Sequence, residues 1–304
     1  MASRSDPGSV LVVGGESFTG RVLVGRLRAL GVETFVSSRS GEDGAIAADL
    51  LDPASLARAV EIARPDVVVN LAGYSFAGGR DYPAVYAANV VGVANLLQAL
   101  EDRPPRLTII PSSASIYAPA QDGAVVGEDH PVAPGNHYAA SKAGVEHMCR
   151  VAGRTLPIQV VRPFNYTGPG QDERFLTPKI VGAFARGATS ITLGELDLYR
   201  DISSVDDTCE AYVRLIMKAE PSEPLNICSG RRVHLASLVE ILKKISGRDM
   251  AVVRDQALIR SGEPKSITGD RRRLEASIGG WDLQTIESLL ERMYRSAVSN
   301  AALT

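Results

Sequence analysis

The chain has 304 residues, 45% of them apolar and 22% charged, with 33 Lys+Arg against 35 Asp+Glu. That is the size of one or two globular domains, and a net charge of −2 with neither sign gathered in one half excludes an electrostatic footprint for a nucleic acid or an anionic membrane surface, so a small-molecule partner is expected. No stretch approaches the roughly 18 uninterrupted apolar residues of a membrane-spanning helix, and the first residues lack the apolar segment of a signal peptide, which points to the cytoplasm.

Short Val- and Ile-rich runs alternate with stretches of helical period, the pattern of a parallel sheet covered by helices. Residues 10–13 are a continuous apolar run ended by Gly14 and Gly15, which predicts a central strand buried on both faces. Residues 19–30 carry Val22, Leu23, Leu27 and Leu30 at helical spacing and stop at Gly31. There follow a strand at 34–37, a helix at 54–63, a strand at 66–71, a long helix at 85–100, a strand at 107–111, a helix at 138–151 and a strand at 158–162. Beyond Arg162 the texture changes: 164–174 reads as a Gly/Pro/Asn-rich loop, with a returning strand at 225–227 and amphipathic helices at 235–245 and 285–294. The fold predicted is α/β, a Rossmann-like doubly wound parallel sheet from residues 1–164 and 201–246, with a smaller, irregular α/β C-terminal substrate lobe from 165–200 and 247–304. Residues 1–8 and 299–304 read as loose ends. The three cysteines, Cys149, Cys209 and Cys228, form no CxxC and are expected to be buried thiols; no metal site is expected.

The segment Gly14-Gly15-Glu16-Ser17-Phe18-Thr19-Gly20 lies between the first strand and its helix, where the pyrophosphate of a dinucleotide rests on backbone amides at a helix N-terminus. Read as G-x-x-G-x-x-G, its middle glycine is Ser17, whose hydroxyl is able to donate to phosphate. The second strand ends in Ser37-Ser38-Arg39, where an NAD enzyme places an acid for the ribose hydroxyls. Ser38 and Arg39 suit a 2′-phosphate instead, so NADP(H) is expected in preference to NAD(H). Asp49 and Leu50 lie where adenine is held, and Leu71, Ala72 and Gly73 where the cofactor's phosphate and ribose pass; each is equally open to a reading as turn chemistry.

Tyr138 and Lys142 are four residues apart, hence on one face of a helix, and Ser112-Ser113 close the fourth strand. A free tyrosine, with a pKa of about 10, is a poor proton carrier at neutral pH; an ammonium beside it, together with the nicotinamide charge, stabilises phenolate and brings it into range. The expectation is that Tyr138 passes a proton to or from a substrate oxygen that Ser113 also hydrogen-bonds, with Lys142 tuning the phenol, while hydride moves at the adjacent carbon.

Together these residues resemble the extended short-chain dehydrogenase/reductase family of nucleotide-sugar enzymes over nearly the whole chain. The segments 162–171, Tyr199-Arg200-Asp201, 226–230 and Arg260-Ser261-Gly262-Glu263 are similar to its GDP-sugar branch of dehydratases and 4-keto-sugar reductases. The dehydratases carry an acidic residue two places after the catalytic Ser/Thr, as the base for the C5 proton. Ser115 stands there, so the resemblance implies NADPH-dependent reduction of the 4-keto group of a GDP-4-keto-6-deoxyhexose, giving GDP-D-rhamnose or its 4-epimer. It also implies that Ser115 faces substrate, that Asn165 contacts the sugar or its phosphate, Lys179 and Arg200 the nucleotide, Arg260 the pyrophosphate and Glu263 the guanosine ribose. It implies further a homodimer in which the helices at 85–100 and 138–151 form a four-helix bundle. A guanidinium fork matches pyrophosphate oxygens, and a surface ion pair is the alternative for each arginine. Ser17, His137 where proline commonly precedes the tyrosine, and Tyr166 where histidine is common depart from the family's pattern. Two other readings are a 4-epimerase or 4,6-dehydratase with retained NAD(H), and a non-catalytic NADP sensor, against which the presence of Ser113, Tyr138 and Lys142 argues. His130, His147 and His234 read as structural, and Asn89 as bridging a water or facing solvent within its helix.

Overall fold

The computed structural model describes residues 7–75, 80–218, 220–259 and 263–301. Along them run β1 (Val10–Val13), α1 (Phe18–Ala29), β2 (Thr34–Ser38), β3 (Ile46–Ala47), α2 (Pro53–Ala63), β4 (Val67–Asn70), α3 (Tyr82–Tyr86), a π-helical turn (Ala87–Val91) and α4 (Gly92–Ala99). Next come β5 (Leu107–Pro111), β6 (Val125–Val126), α5 (His137–Ala152), β7 (Ile158–Pro163), β8 (Asn165–Thr167), α6 (Leu176–Ala185), β9 (Ser190–Leu193), β10 (Tyr199–Ser204) and α7 (Val205–Lys218). The last are β11 (Leu225–Ile227), β12 (Arg232–His234), α8 (Leu235–Ser246), β13 (Ala251–Arg254), β14 (Ser266–Gly269), α9 (Arg272–Ile278) and α10 (Ile286–Ala301).

Seven strands form one parallel sheet in the order β3, β2, β1, β4, β5, β7, β11. The chain leaves β1 for β2 on one side and returns to β4 on the other, so the strand order reverses between β1 and β4, the crevice where open α/β sheets take ligands. Strand alternation divides the interior in two. Val10, Val12, Val67, Val69, Leu107 and Ile109 pack with α1 and α7, while Leu11, Val13, Val68 and Ile110 pack with α2, α4 and α5. The apolar run at 10–13 is buried on both faces, as its composition requires. Helix starts follow local chemistry: Asp52 accepts from the N–H groups of Ala54 and Ser55 with Pro53 at the first position of α2, and Asn136 caps α5 through Ala139 N at 2.9 Å.

Several elements differ from the sequence expectation. The 164–174 stretch is not all loop, because Asn165–Thr167 pairs in parallel with Ile202–Ser204 of β10. The long helix begins at Tyr82 and is interrupted by the π turn, and its Val93, Leu96 and Leu97 face the sheet. Helix α8 packs with α6 and α10, around Leu238, Leu242, Ile180, Phe184 and Leu290, rather than on the large sheet. Pro7 is buried and takes hydrogen bonds from Arg106, and α10 runs to Ala301. The three cysteines are buried and unbridged, and burial pushes the Cys149 and Cys209 thiols up to about 12. No helix among the described residues is long and apolar enough to cross a membrane.

Candidate active site

The turn after β1 is shaped by close approach. Gly14 has φ +75°, and a Cβ there would fall 2.6 Å from Ala72 N; one at Gly20 would fall 2.5 Å from Gly14 O. The first glycine thus makes the turn and the last lets α1 press against it. Ser17 needs no glycine: its backbone is extended at φ −63°, and its Oγ accepts from Gly20 N–H at 3.1 Å, capping α1. Its hydroxyl proton stays available, beside the N–H groups of Phe18 and Thr19, which as first-turn donors have no intrahelical acceptor. At the end of β2, Ser38 is buried with Oγ accepting from Gly41 N–H at 3.0 Å, and Arg39 is exposed. Ser37 Oγ, at the end of β2, and Ser112 Oγ, just past β5, are buried without hydrogen-bond partners among the described residues. This cradle, with donors at the carboxyl ends of the strands and no acid at the end of β2, fits a dinucleotide. Asp49 is drawn into its own turn, with Oδ1 accepting from Leu51 N–H at 2.8 Å, and Leu50 is buried.

Asn89 joins this cradle to the helix of Tyr138. Its Oδ1 accepts from Tyr74 N–H at 2.8 Å, and its Nδ2 donates to Tyr74 O at 3.2 Å and to Ser141 Oγ at 3.0 Å. Ser141 Oγ in turn donates to Tyr138 O at 2.7 Å. The π turn carries this asparagine inward, where it is 1% exposed, so it clamps the Tyr74 loop to α5 and does not face solvent. Gly73, at φ +143°, has room only because it lacks a Cβ, which would sit 2.8 Å from Asn89 Oδ1.

Lys142 Nζ donates to Pro111 O at 2.9 Å, at the end of β5, and lies 6.0 Å from the centre of the Tyr138 ring. Burial lowers its pKa to about 8, with Cys149 working weakly the other way. Burial pushes the Tyr138 phenol above its ordinary value, and a hydrogen bond from Ser113 pulls it down. In the protein without cofactor, desolvation thus outweighs the Ser113 hydrogen bond, and the phenol is raised, not lowered. Ser113 Oγ accepts from Ser115 N–H at 3.1 Å and from Ser115 Oγ–H at 2.9 Å. Tyr166 approaches from the other side; its hydroxyl is 2.9 Å from Thr19 Oγ1 and its ring stacks on Phe18 with centres 6.3 Å apart. His137, just before Tyr138, is exposed, stacked on Tyr82 at 3.9 Å, with Nδ1 3.1 Å from Tyr86 Oη.

The residues assigned to the nucleotide sugar divide. Asn165 is exposed at the start of β8. Arg200 is buried, and its guanidinium donates to Tyr199 O, Pro264 O and, at 2.8 Å, to Glu263 Oε1, so these two assigned residues hold one another. Lys179 Nζ donates to Thr192 O at 2.9 Å. Arg260 lies outside the described residues. Two residues within the segments singled out by sequence do structural work: Arg162 is clamped by Glu146, and Asp201 accepts four hydrogen bonds, from Ser229 N–H, Ser229 Oγ–H, Gly230 N–H and Gly269 N–H. Sequence reasoning missed the partners of Asn89, although a serine inside the Tyr138–Lys142 turn on a buried face was a usable signal. No group of three or more His, Cys, Asp or Glu among the described residues is placed to hold a metal ion.

A family model described as "NAD dependent epimerase/dehydratase family" matches residues 10–228. The chain is 33% identical over 290 residues to GDP-6-deoxy-D-talose 4-dehydrogenase of Aggregatibacter actinomycetemcomitans, covering 94% of this chain and 97% of that protein. It is 33% identical over 242 residues to GDP-6-deoxy-D-mannose reductase of Pseudomonas aeruginosa, covering 76% and 79%. Among solved structures it is similar to RMD from Pseudomonas aeruginosa complexed with NADPH, at 29% identity and a TM-score of 0.86 over 96% of this chain and 99% of that one.

Proposed function

The chain belongs to the NAD dependent epimerase/dehydratase family, and from that premise we propose that it is an NADP(H)-dependent oxidoreductase that reduces the C4 carbonyl of GDP-4-keto-6-deoxy-D-mannose, giving GDP-D-rhamnose or its C4 epimer. The observation that carries this reading is the group beside Ser113: a serine hydroxyl at 2.9 Å, where elimination of water would need a carboxylate to take a carbon-bound proton. Relatives named for 4-dehydrogenase and reductase chemistry on GDP-6-deoxysugars support it, and NADPH in the Pseudomonas structure supports the cofactor, as do Ser38 and Arg39.

NADPH, when bound, supplies the hydride. Gly14, Ser17, Phe18, Thr19 and Gly20 would hold its pyrophosphate, Ser38 and Arg39 its 2′-phosphate, Asp49 and Leu50 the adenine, and Leu71, Ala72 and Gly73 the central phosphate and ribose. Asn165, Lys179, Arg200, Arg260 and Glu263 would hold the nucleotide sugar, the Arg200–Glu263 pair opening to do so. As the carbonyl carbon is reduced, its oxygen needs a proton, and Tyr138, kept protonated by burial, gives it. Ser113 hydrogen-bonds the same oxygen. Lys142 is an ammonium below about pH 8 and favours the phenolate that Tyr138 becomes. The protein works in the cytoplasm as a homodimer across the helices at 85–100 and 138–151, where Val91 and Val151 are exposed.

Incubation with GDP-4-keto-6-deoxy-D-mannose and NADPH is expected to consume nicotinamide absorbance and yield a C4 hydroxyl by NMR. Intact NADPH and keto sugar overturn the reading, and tightly retained NAD(H) in the purified protein favours epimerisation instead.

A further inference from the structure

Ser113 has one hydroxyl proton and two lone pairs. It sits just past β5 in extended backbone at φ −165°, and the chain turns so that both lone pairs are met by one residue, Ser115, through its N–H at 3.1 Å and its Oγ–H at 2.9 Å. With both acceptor sites filled, Ser113 can only donate: toward Tyr138 while the cleft holds no substrate, and to the substrate oxygen once that is bound. The direction matters for a reduction. Were a lone pair of Ser113 open, the phenol O–H would have an acceptor inside the protein and would turn its proton away from the cleft. With the lone pairs occupied, the phenol proton has the substrate oxygen as its acceptor.

We propose that Ser115 is a positioning residue: through Ser113 it sets a one-way sequence of donors, Ser115 O–H to Ser113, Ser113 O–H to the oxygen beside it, and Tyr138 O–H to the substrate carbonyl. This rests on the oxidoreductase reading above, and it reassigns Ser115 from contact with substrate to control of Ser113. An acidic side chain at 115 would reverse the sequence, since a carboxylate accepts the Ser113 proton and frees a lone pair to face Tyr138. The residue at 115 thus selects whether Ser113 acts as donor or acceptor.

The test compares Ser115→Ala and Ser115→Thr in the full chain, with Tyr138→Phe identifying the Tyr138 signal in carbon NMR of tyrosine-labelled protein. Ser115→Ala is expected to raise the midpoint at which Tyr138 ionises and to lower kcat for the keto sugar about tenfold, the worth of one hydrogen bond, with KM for NADPH unchanged. Ser115→Thr, which keeps the hydroxyl, is expected to restore both. A Tyr138 midpoint in Ser115→Ala equal to wild type, or one that Ser115→Thr fails to restore, overturns the proposal. The midpoint is read without substrate, so a wild-type protein that leaves the keto sugar unreduced defeats the functional reading while the role of Ser115 is still decided.

Discussion

Helix α5 sends Tyr138, Lys142 and Glu146 along one face at successive turns. At Glu146 every polar group meets its match. The carboxylate accepts from Arg162 Nε and Nη2 at 2.8 and 2.7 Å, Arg162 Nη1 donates to Glu128 O and Tyr117 Oη, and Tyr117 donates to Asn226 Oδ1 at 2.6 Å. One and two turns earlier the supply is thin among the described residues: a single carbonyl for Lys142 Nζ and a single hydroxyl for Tyr138. Charge follows the same division. Burial pulls both cations down, but hydrogen bonds and charge from Glu146 and Tyr117 together more than offset this for Arg162 and hold it fully charged, whereas Lys142 falls to about 8. A saturated cluster binds α5, β7 and β11 together; one with donor capacity left over takes a substrate.

Mutations separate the two clusters. Arg162→Met strands the buried Glu146 carboxylate and is expected to cost about 3–5 kcal/mol, read as a fall in Tm of roughly 10 °C, while NADPH affinity of the folded protein stays as it was. Tyr138→Phe should do the reverse, lowering kcat about a thousandfold with Tm changed little. A Tm loss in Tyr138→Phe matching that of Arg162→Met would erase the distinction.

The next effect is on pH. In reduction kcat/KM is expected to fall as pH rises through about 8, because Lys142 then loses the charge that supports the phenolate. Stability moves oppositely. The folded Lys142 releases its proton at lower pH than the unfolded one, whose pKa is about 10.4, so between these values the unfolded chain holds more protons and Lys142 contributes stability that grows with pH. Denaturant unfolding of wild type and Lys142→Met should therefore show a difference that rises from pH 8 to pH 10, and a flat difference would refute the lowered pKa.

What the sequence made legible was local in origin. The β1 run, the glycine turn and the four-residue step from Tyr138 to Lys142 each depend on neighbours in the chain, and each is found as read. Asn165–Thr167 becomes a strand only because β10 lies beside it, and the Arg200–Glu263 pair forms across distant segments. Composition in a window carries no trace of either. Ser17 at a glycine position was a departure on paper; the backbone shows an extended residue and a helix cap, so no glycine was required there. Periodicity placed Asn89 in a helix but not inward, because the π turn that rotates it is set by packing against Tyr74 and Ser141.

The smallest effect tests where the cradle ends. Arg39 is exposed past β2, without a hydrogen bond or ion pair among the described residues, while its neighbour Ser38 is buried and anchored to Gly41. An exposed charge reaching one phosphate contributes about 1 kcal/mol, less as salt is added. Arg39→Ala is therefore expected to raise KM for NADPH about fivefold, an effect that shrinks at high ionic strength, and to leave KM for NADH unchanged because that cofactor presents no 2′-phosphate. Equal changes for both cofactors would move Arg39 from the 2′-phosphate to the shared part of the dinucleotide.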